Sequence, residues 1–205
     1  MKKYFVSALL ILISTALFSQ NFQRRDSLLN VLAQSKNDTN KVQTLYRLAF
    51  YYEMNNTDSS KYFLRKTKAL ADSLNYTKGK YLYFERSAVV AYTSGNYTDA
   101  MEYSNNGLAP ARKLKDSALV SVMLNNIAIT YGFLQKYKEQ LDYTLQVKNV
   151  VESIRDSAKL SPLYHNLSNC YHDLGQDRKS ADCALFSIKL NKEFKKRNDY
   201  VNRAY

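Results

Sequence analysis

The side chains best suited to metal or redox chemistry are two histidines and two cysteines, and three of the four share one short stretch. His165 and His172 stand seven residues apart with Asn169 between them, and Cys170 lies beside them. On a helix that spacing puts both imidazoles on one face, but about 10 Å apart along the axis, too far to share one ion. Cys183 follows Cys170 by thirteen residues across a turn. The four residues lack the paired short spacings of a tetrahedral zinc site. A Cys170–Cys183 disulfide is chemically permitted in an exported chain, but needs Cα atoms within about 7 Å. Reduced, packed thiols are the expectation.

Other catalytic signatures are missing from the sequence. It has no glycine-rich phosphate loop, no nucleophile elbow and no HExxH. The reading is a non-enzyme with no cofactor and no metal. What remains to do chemistry is a surface, so the elements that build the surface matter most.

Those elements repeat. Gly95, Gln135 and Gly175 stand forty residues apart, each followed by a polar pair or a polar-aromatic pair. Ala88, Ala128 and Ser168 fall in step, as do Ala100, Gln140 and Ser180. Around them, apolar residues recur at helical spacing. A period of this size built from helix pairs marks a helical repeat array, because a lone pair cannot bury both of its apolar faces. Only 5 glycines and 2 prolines in 205 residues, with 45% hydrophobic residues, fit an all-helical chain. The small residues should let paired helices approach closely, and Tyr97 and Tyr137 in the turns should wedge between one pair and the next.

The segments NIAITYGFLQKY and NLSNCYHDLGQD carry a small residue, an aromatic (Tyr131, Tyr171) and a glycine or polar turn in order. In this the chain resembles the tetratricopeptide repeat family, over most of residues 41–205, at a period of 40 rather than the usual 34. Three positions depart from the pattern: Gln140 where a small residue is usual, Asp177 for the turn aromatic, and Ser87 for a leucine. The resemblance implies an all-α fold, an α-solenoid of antiparallel helix pairs. It also implies that the first helix of each pair lines a concave groove that binds a protein or peptide. Projecting the helical period onto those helices gives Leu82, Glu85, Val89 and Tyr92, then Val122, Asn125, Ile129 and Phe133, then His165, Asn169, His172 and Asp173. Such a groove runs from apolar to polar and suits an extended peptide or a helix. The Lys and Asn pair with which such repeats clamp a C-terminal carboxylate is not evident.

Residues 1–19 read as a secretory signal peptide: Lys2 and Lys3, an apolar run from Val6 to Phe18, then Ser19. The expected location is therefore exported, in the periplasm. Losing Lys2 and Lys3 leaves 28 basic and 18 acidic residues, a net +10. That balance suits nucleic acid, an acidic surface or an acidic partner. Export argues against nucleic acid, and the scatter of the basic residues suits a solvated outer face.

The helical region is read as 22–205. A leading helix spans 22–35, and repeats span about 38–74, 77–115, 117–155 and 157–195. Asp38-Thr39 marks a helix start. Pro110 predicts a kink or early end near 106–110, and Pro162 a helix start or bend. The Asp-Ser pairs at 26–27, 72–73, 116–117 and 156–157 read as helix caps, with an O-glycosylation signal of exported bacterial proteins as the alternative. The frame projects a turn at 215, so 198–205 reads as an incomplete fifth unit whose apolar residues await a partner helix. The stretch DSLLNVLAQSKNDTNKVQTLYRLAFYYE resembles exported sensor regions that precede a histidine kinase or DNA-binding domain in bacterial signalling proteins. On that reading any membrane attachment lies in a missing C-terminal part.

Overall fold

A computed structural model describes the backbone of residues 23, 25–154 and 157–203, and their side chains except at 157 and 196–203. The signal-peptide stretch 1–19 lies outside the described residues. A helix through 25–34 (α1) is followed by α2 (Thr39–Tyr52), α3 (Thr57–Ser73), α4 (Thr77–Thr93), α5 (Tyr97–Lys113), α6 (Ser117–Phe133), α7 (Tyr137–Ser153), α8 (Ser157–Asp173) and α9 (Asp177–Arg203). Among the described residues there is no strand, and the fold is an α-solenoid of antiparallel helix pairs. None of these helices is long and apolar enough to cross a membrane.

From Thr57 onward every helix starts twenty residues after the one before, and α3 through α8 are each 17 residues long. The frame is half the period legible in the sequence. Its cause is a repeated way of ending a helix. Asn75, Gly95, Lys115, Gln135 and Gly175 all adopt positive φ, between 48° and 77°. At the α4 end the Asn96 amide donates to the Ala91 carbonyl at 2.9 Å and the Gly95 amide to that of Tyr92 at 3.1 Å. The same pair of bonds closes α3, α6 and α8, through Tyr76 and Asn75, Lys136 and Gln135, and Gln176 and Gly175. This is the Schellman arrangement, which satisfies carbonyls that the helix end would leave bare.

Asn96 both closes one helix and opens the next, and Asp116 opens α6. The Asn96 side chain accepts from the Asp99 amide at 3.2 Å, and the Asp116 side chain from Ala118 and Leu119 at 2.9 and 3.2 Å. Asp38 caps α2 in the same way, as its sequence context predicts. Only some Asp-Ser pairs do so. Asp26-Ser27 lies inside α1, and Asp72 sits in the last turn of α3, where Lys68 (2.7 Å) and Lys80 (3.4 Å) pair with it. Asp156 lies outside the described residues.

Both prolines lie inside helices, so the expected early end near Pro110 and the expected start at Pro162 do not occur. α5 runs through Pro110 to Lys113, because the proline falls in the last turn, where a single lost backbone bond is the main cost. α8 begins at Ser157, five residues before Pro162. No new unit opens at 198: α9 is continuous over its 27 residues to Arg203.

Two compact units divide the chain, Met1–Tyr83 and Phe84–Tyr205. In the first, α2 packs on α3, with Val42, Leu45, Leu48, Phe63 and Leu64 buried. Gly79 of α4 comes so close to Ala71 and Val42 that a Cβ there would lie 2.7 and 2.8 Å from them. In the second, consecutive helices from α5 to α9 pack on one another. Its core joins Leu124, Val147, Val151, Leu163 and Leu167. α6 is apolar nearly all round because α5 and α7 both cover it; Met123, Ile127 and Thr130 are wholly buried.

The small-residue seam takes three forms. Ala88 and Ala100 are fully buried. Ser168 donates to the Ser180 carbonyl at 2.9 Å. In the third pair the bulky Gln140 is accommodated because Gly132 has no side chain: a Cβ there would meet the Gln140 amide at 2.8 Å.

Two stability tests follow. Gly95→Ala, at φ 77° with open space around it, should destabilise by about 1 kcal/mol, and Gln135→Gly should stabilise by about 0.5–1 kcal/mol, because only glycine takes this conformation freely. Opposite shifts in urea midpoint are expected; shifts of the same sign would refute the turn argument. Ala128→Leu, at 2% exposure, should cost about 1–3 kcal/mol by overpacking, against less than about 0.5 kcal/mol for the exposed Lys138→Leu.

Candidate functional site

α6 and α8 are the first helices of neighbouring pairs, and α7 lies between them in sequence and packs on both. Their C-terminal halves border an open cavity of about 380 Å³. α6 supplies Asn125, Ile129 and Phe133, with Ala128 and Gly132 between them; α8 supplies Asn166, Asn169, His172 and Asp173; α7 contributes Gln140 and Thr144. Six of the twelve residues projected from the sequence therefore meet here: Asn125, Ile129, Phe133, Asn169, His172 and Asp173. The volume falls within the range of ligand pockets, with apolar walls and a few convergent polar groups.

An amide pair ties the two helices together: Asn166 Nδ2 donates to Asn125 Oδ1 at 3.0 Å. At the mouth, the Phe133 ring is half exposed and stacks on Tyr97 (5.4 Å, 12° between planes) and Tyr92 (5.8 Å, 28°). Tyr97 thus wedges from α5 against the next pair, as its turn position predicts. Gln140 crosses Gly132, and its Oε1 is buried without a hydrogen-bond partner.

The remaining projected residues lie elsewhere. Val122 lines a second, smaller cavity with Asn125, Asn166, Val147 and Pro162. His165 donates or accepts with Asn169 at 3.5 Å, but borders a separate hollow against α9 with Ser161, Ala184 and Ile188. It is thereby set apart from His172, whose Nδ1 is 3.8 Å from Asp177 Oδ1. Glu85, Val89 and Tyr92 are half-buried along α4, with Glu85 3.2 Å from Arg86. Leu82, also half-buried, belongs to the first unit. Gln140, Thr144 and Asn166 were not projected. The first two come from a second helix, and Asn166 lies one residue beyond the chosen stripe.

Among the described residues no group of three or more metal-ligating side chains forms. Both cysteines are free. Cys170 is buried behind Thr144, whose Oγ1 is 3.5 Å from the sulfur; burial raises the pKa of this thiol and, less deeply buried, that of Cys183.

No family model matches the chain, and no curated protein sequence matches it. Solved structures do. Over 84% of the chain, at 17% identity and TM-score 0.71, it superposes on a Signal Transduction ATPase with Numerous Domains from Pyrococcus horikoshii that has a tetratricopeptide repeat sensor. The fold is that of a tetratricopeptide-repeat array. The chain spans only 27% of that protein. It also matches aspartyl phosphate phosphatase F from Bacillus subtilis (TM-score 0.74, 15% identity, 85% of this chain, 49% of that one). PlcR of Bacillus thuringiensis, solved with the peptide PapR7 and DNA, matches over 92% of this chain and 72% of its own (TM-score 0.63, 14% identity). Within the tetratricopeptide-type frame, the cavity lies on the side formed by first helices of adjacent pairs.

Alkylation tests the thiol assignment. Iodoacetamide at mildly alkaline pH should label Cys183 of the native chain first and Cys170 only on unfolding, because the thiolate reacts and burial withholds it. Mass spectrometry showing equal labelling, or a bridged pair resistant to both, would contradict it.

Proposed function

We propose that this chain is an exported tetratricopeptide-type scaffold that binds a protein or peptide segment along the face formed by α6 and α8. The observation that carries this is the convergence of three asparagine amides, Asn125, Asn166 and Asn169, with the half-exposed Phe133 on one cavity. An extended peptide offers amide N–H and C=O groups in alternation. Asparagine side chains both donate and accept, so they match a main chain whatever its sequence. The ring and the Ile129 wall take a side chain. PlcR, a structure of the same fold, was solved with a peptide bound, which supports the same class of ligand here. Binding, rather than catalysis, fits a site that gathers amides and an aromatic ring.

A second reading is that the array is the extracytoplasmic sensing segment of a longer signalling protein, a histidine kinase or transcriptional regulator. It is favoured by the match to a tetratricopeptide repeat sensor within a signal-transduction ATPase of which this chain covers about a quarter. Export rests on the sequence of residues 1–19, and N-terminal sequencing of the secreted chain tests it.

The binding reading is tested with random peptides displayed on phage and selected on the whole chain. Selected peptides should lose at least about tenfold in affinity for Asn169→Arg, a change at an exposed position that fills the cavity without touching the core, and little for Lys138→Ala. Equal binding by both variants would move the site elsewhere.

A further inference from the structure

The cavity between α6 and α8 has a charge character that its position in the array does not explain. None of its lining residues is lysine or arginine, although the chain carries 30 of them against 18 acidic residues. Its one formal charge is Asp173, exposed at the end of α8. Among the described residues no hydrogen bond or ion pair engages that carboxylate.

Three further features have the same sign. The cavity mouth is built from the last residues of two helices, Gly132 and Phe133 of α6 and His172 and Asp173 of α8. Helix C-termini carry partial negative charge, which favours a cation nearby. Phe133 is half exposed beside its stacking on Tyr97 and Tyr92, and an aromatic π-system attracts an ammonium or guanidinium group. Deeper in, the buried Gln140 Oε1 has no hydrogen-bond partner, so it is an acceptor whose desolvation goes uncompensated until a donor reaches it.

Carboxylate, helix ends, aromatic ring and buried amide oxygen are all complementary to one kind of group. We infer that this cavity is the subsite for a basic side chain, arginine or lysine, of the peptide that occupies the face. The cationic head lies between Asp173 and the Phe133 ring and donates inward to Gln140 Oε1, while the aliphatic stem runs along Ile129. Arginine fits better than lysine, because its planar fork can stack on the ring and donate to two acceptors at once. The inference rests on the peptide-binding reading and adds the chemistry of one required side chain.

The test uses the whole chain and a random peptide library on phage, selected in parallel on the native chain and on Asp173→Asn. Peptides from the native chain should share arginine or lysine at one position, and those from Asp173→Asn should not. A selected peptide resynthesised with citrulline for that arginine keeps the planar shape but loses the charge, with a carbonyl oxygen in place of one donor group. It should bind the native chain about tenfold more weakly, and Asp173→Asn within about twofold of the arginine peptide. Thermal melts check that the exposed substitution leaves the fold intact. Peptides that bind without a shared basic residue, or an arginine preference that survives Asp173→Asn, overturn the subsite and leave the peptide-binding reading standing. Failure to enrich any peptide overturns both.

Discussion

Everything in the second unit depends on how its helices stop. At the ends of α4, α6 and α8 a left-handed residue turns the chain, and the amides around it tie off two carbonyls before the next helix begins. Because every helix from α3 to α8 has the same length, equivalent residues arrive at equivalent heights. That is why Ala88 meets its partner helix as Ser168 does, and why the end of α6 lies beside the end of α8. The cavity is a by-product of this regularity: two helices terminating at one level leave room between their last turns, and Gly132 lets Gln140 of α7 reach across to floor it.

The fold was legible because repetition multiplies a weak signal. Gly95, Gln135 and Gly175 mark alternate turns, and glycine advertises positive φ. The described turns that alternate with them are built on Asn75 and Lys115, where asparagine signals positive φ more weakly than glycine and lysine not at all, so the forty-residue period of the helix pair was legible and the twenty-residue frame within it was not. A subtler marker was present: Leu74, Leu114, Leu134 and Leu174 each precede the left-handed residue. As helix boundaries the prolines misled for the opposite reason. Pro110 and Pro162 are strong local signals, but packing on α6 and α9 and the surrounding frame outweigh the bond each one removes.

The site was half legible. Helical phase places Asn125, Ile129 and Phe133 on one stripe of α6, and Asn169, His172 and Asp173 on one stripe of α8. Phase cannot show that α7 supplies the floor, since Gln140 and Thr144 look like ordinary seam positions until Gly132 is seen opposite them. Nor can it separate His165 from His172, because the neighbour that turns His165 toward a different hollow is α9.

The twenty-residue frame also limits how this chain can change length. One extra residue within a helix would rotate everything after it by about 100° and carry buried side chains to the surface. An extra residue in a turn would break the bonds that set the next helix's starting height. Insertions and deletions that preserve the core must therefore come in whole helix-and-turn modules. Those that also preserve the alternation of first and second helices must come in pairs of modules, so the array lengthens in discrete steps, as a ladder does by rungs.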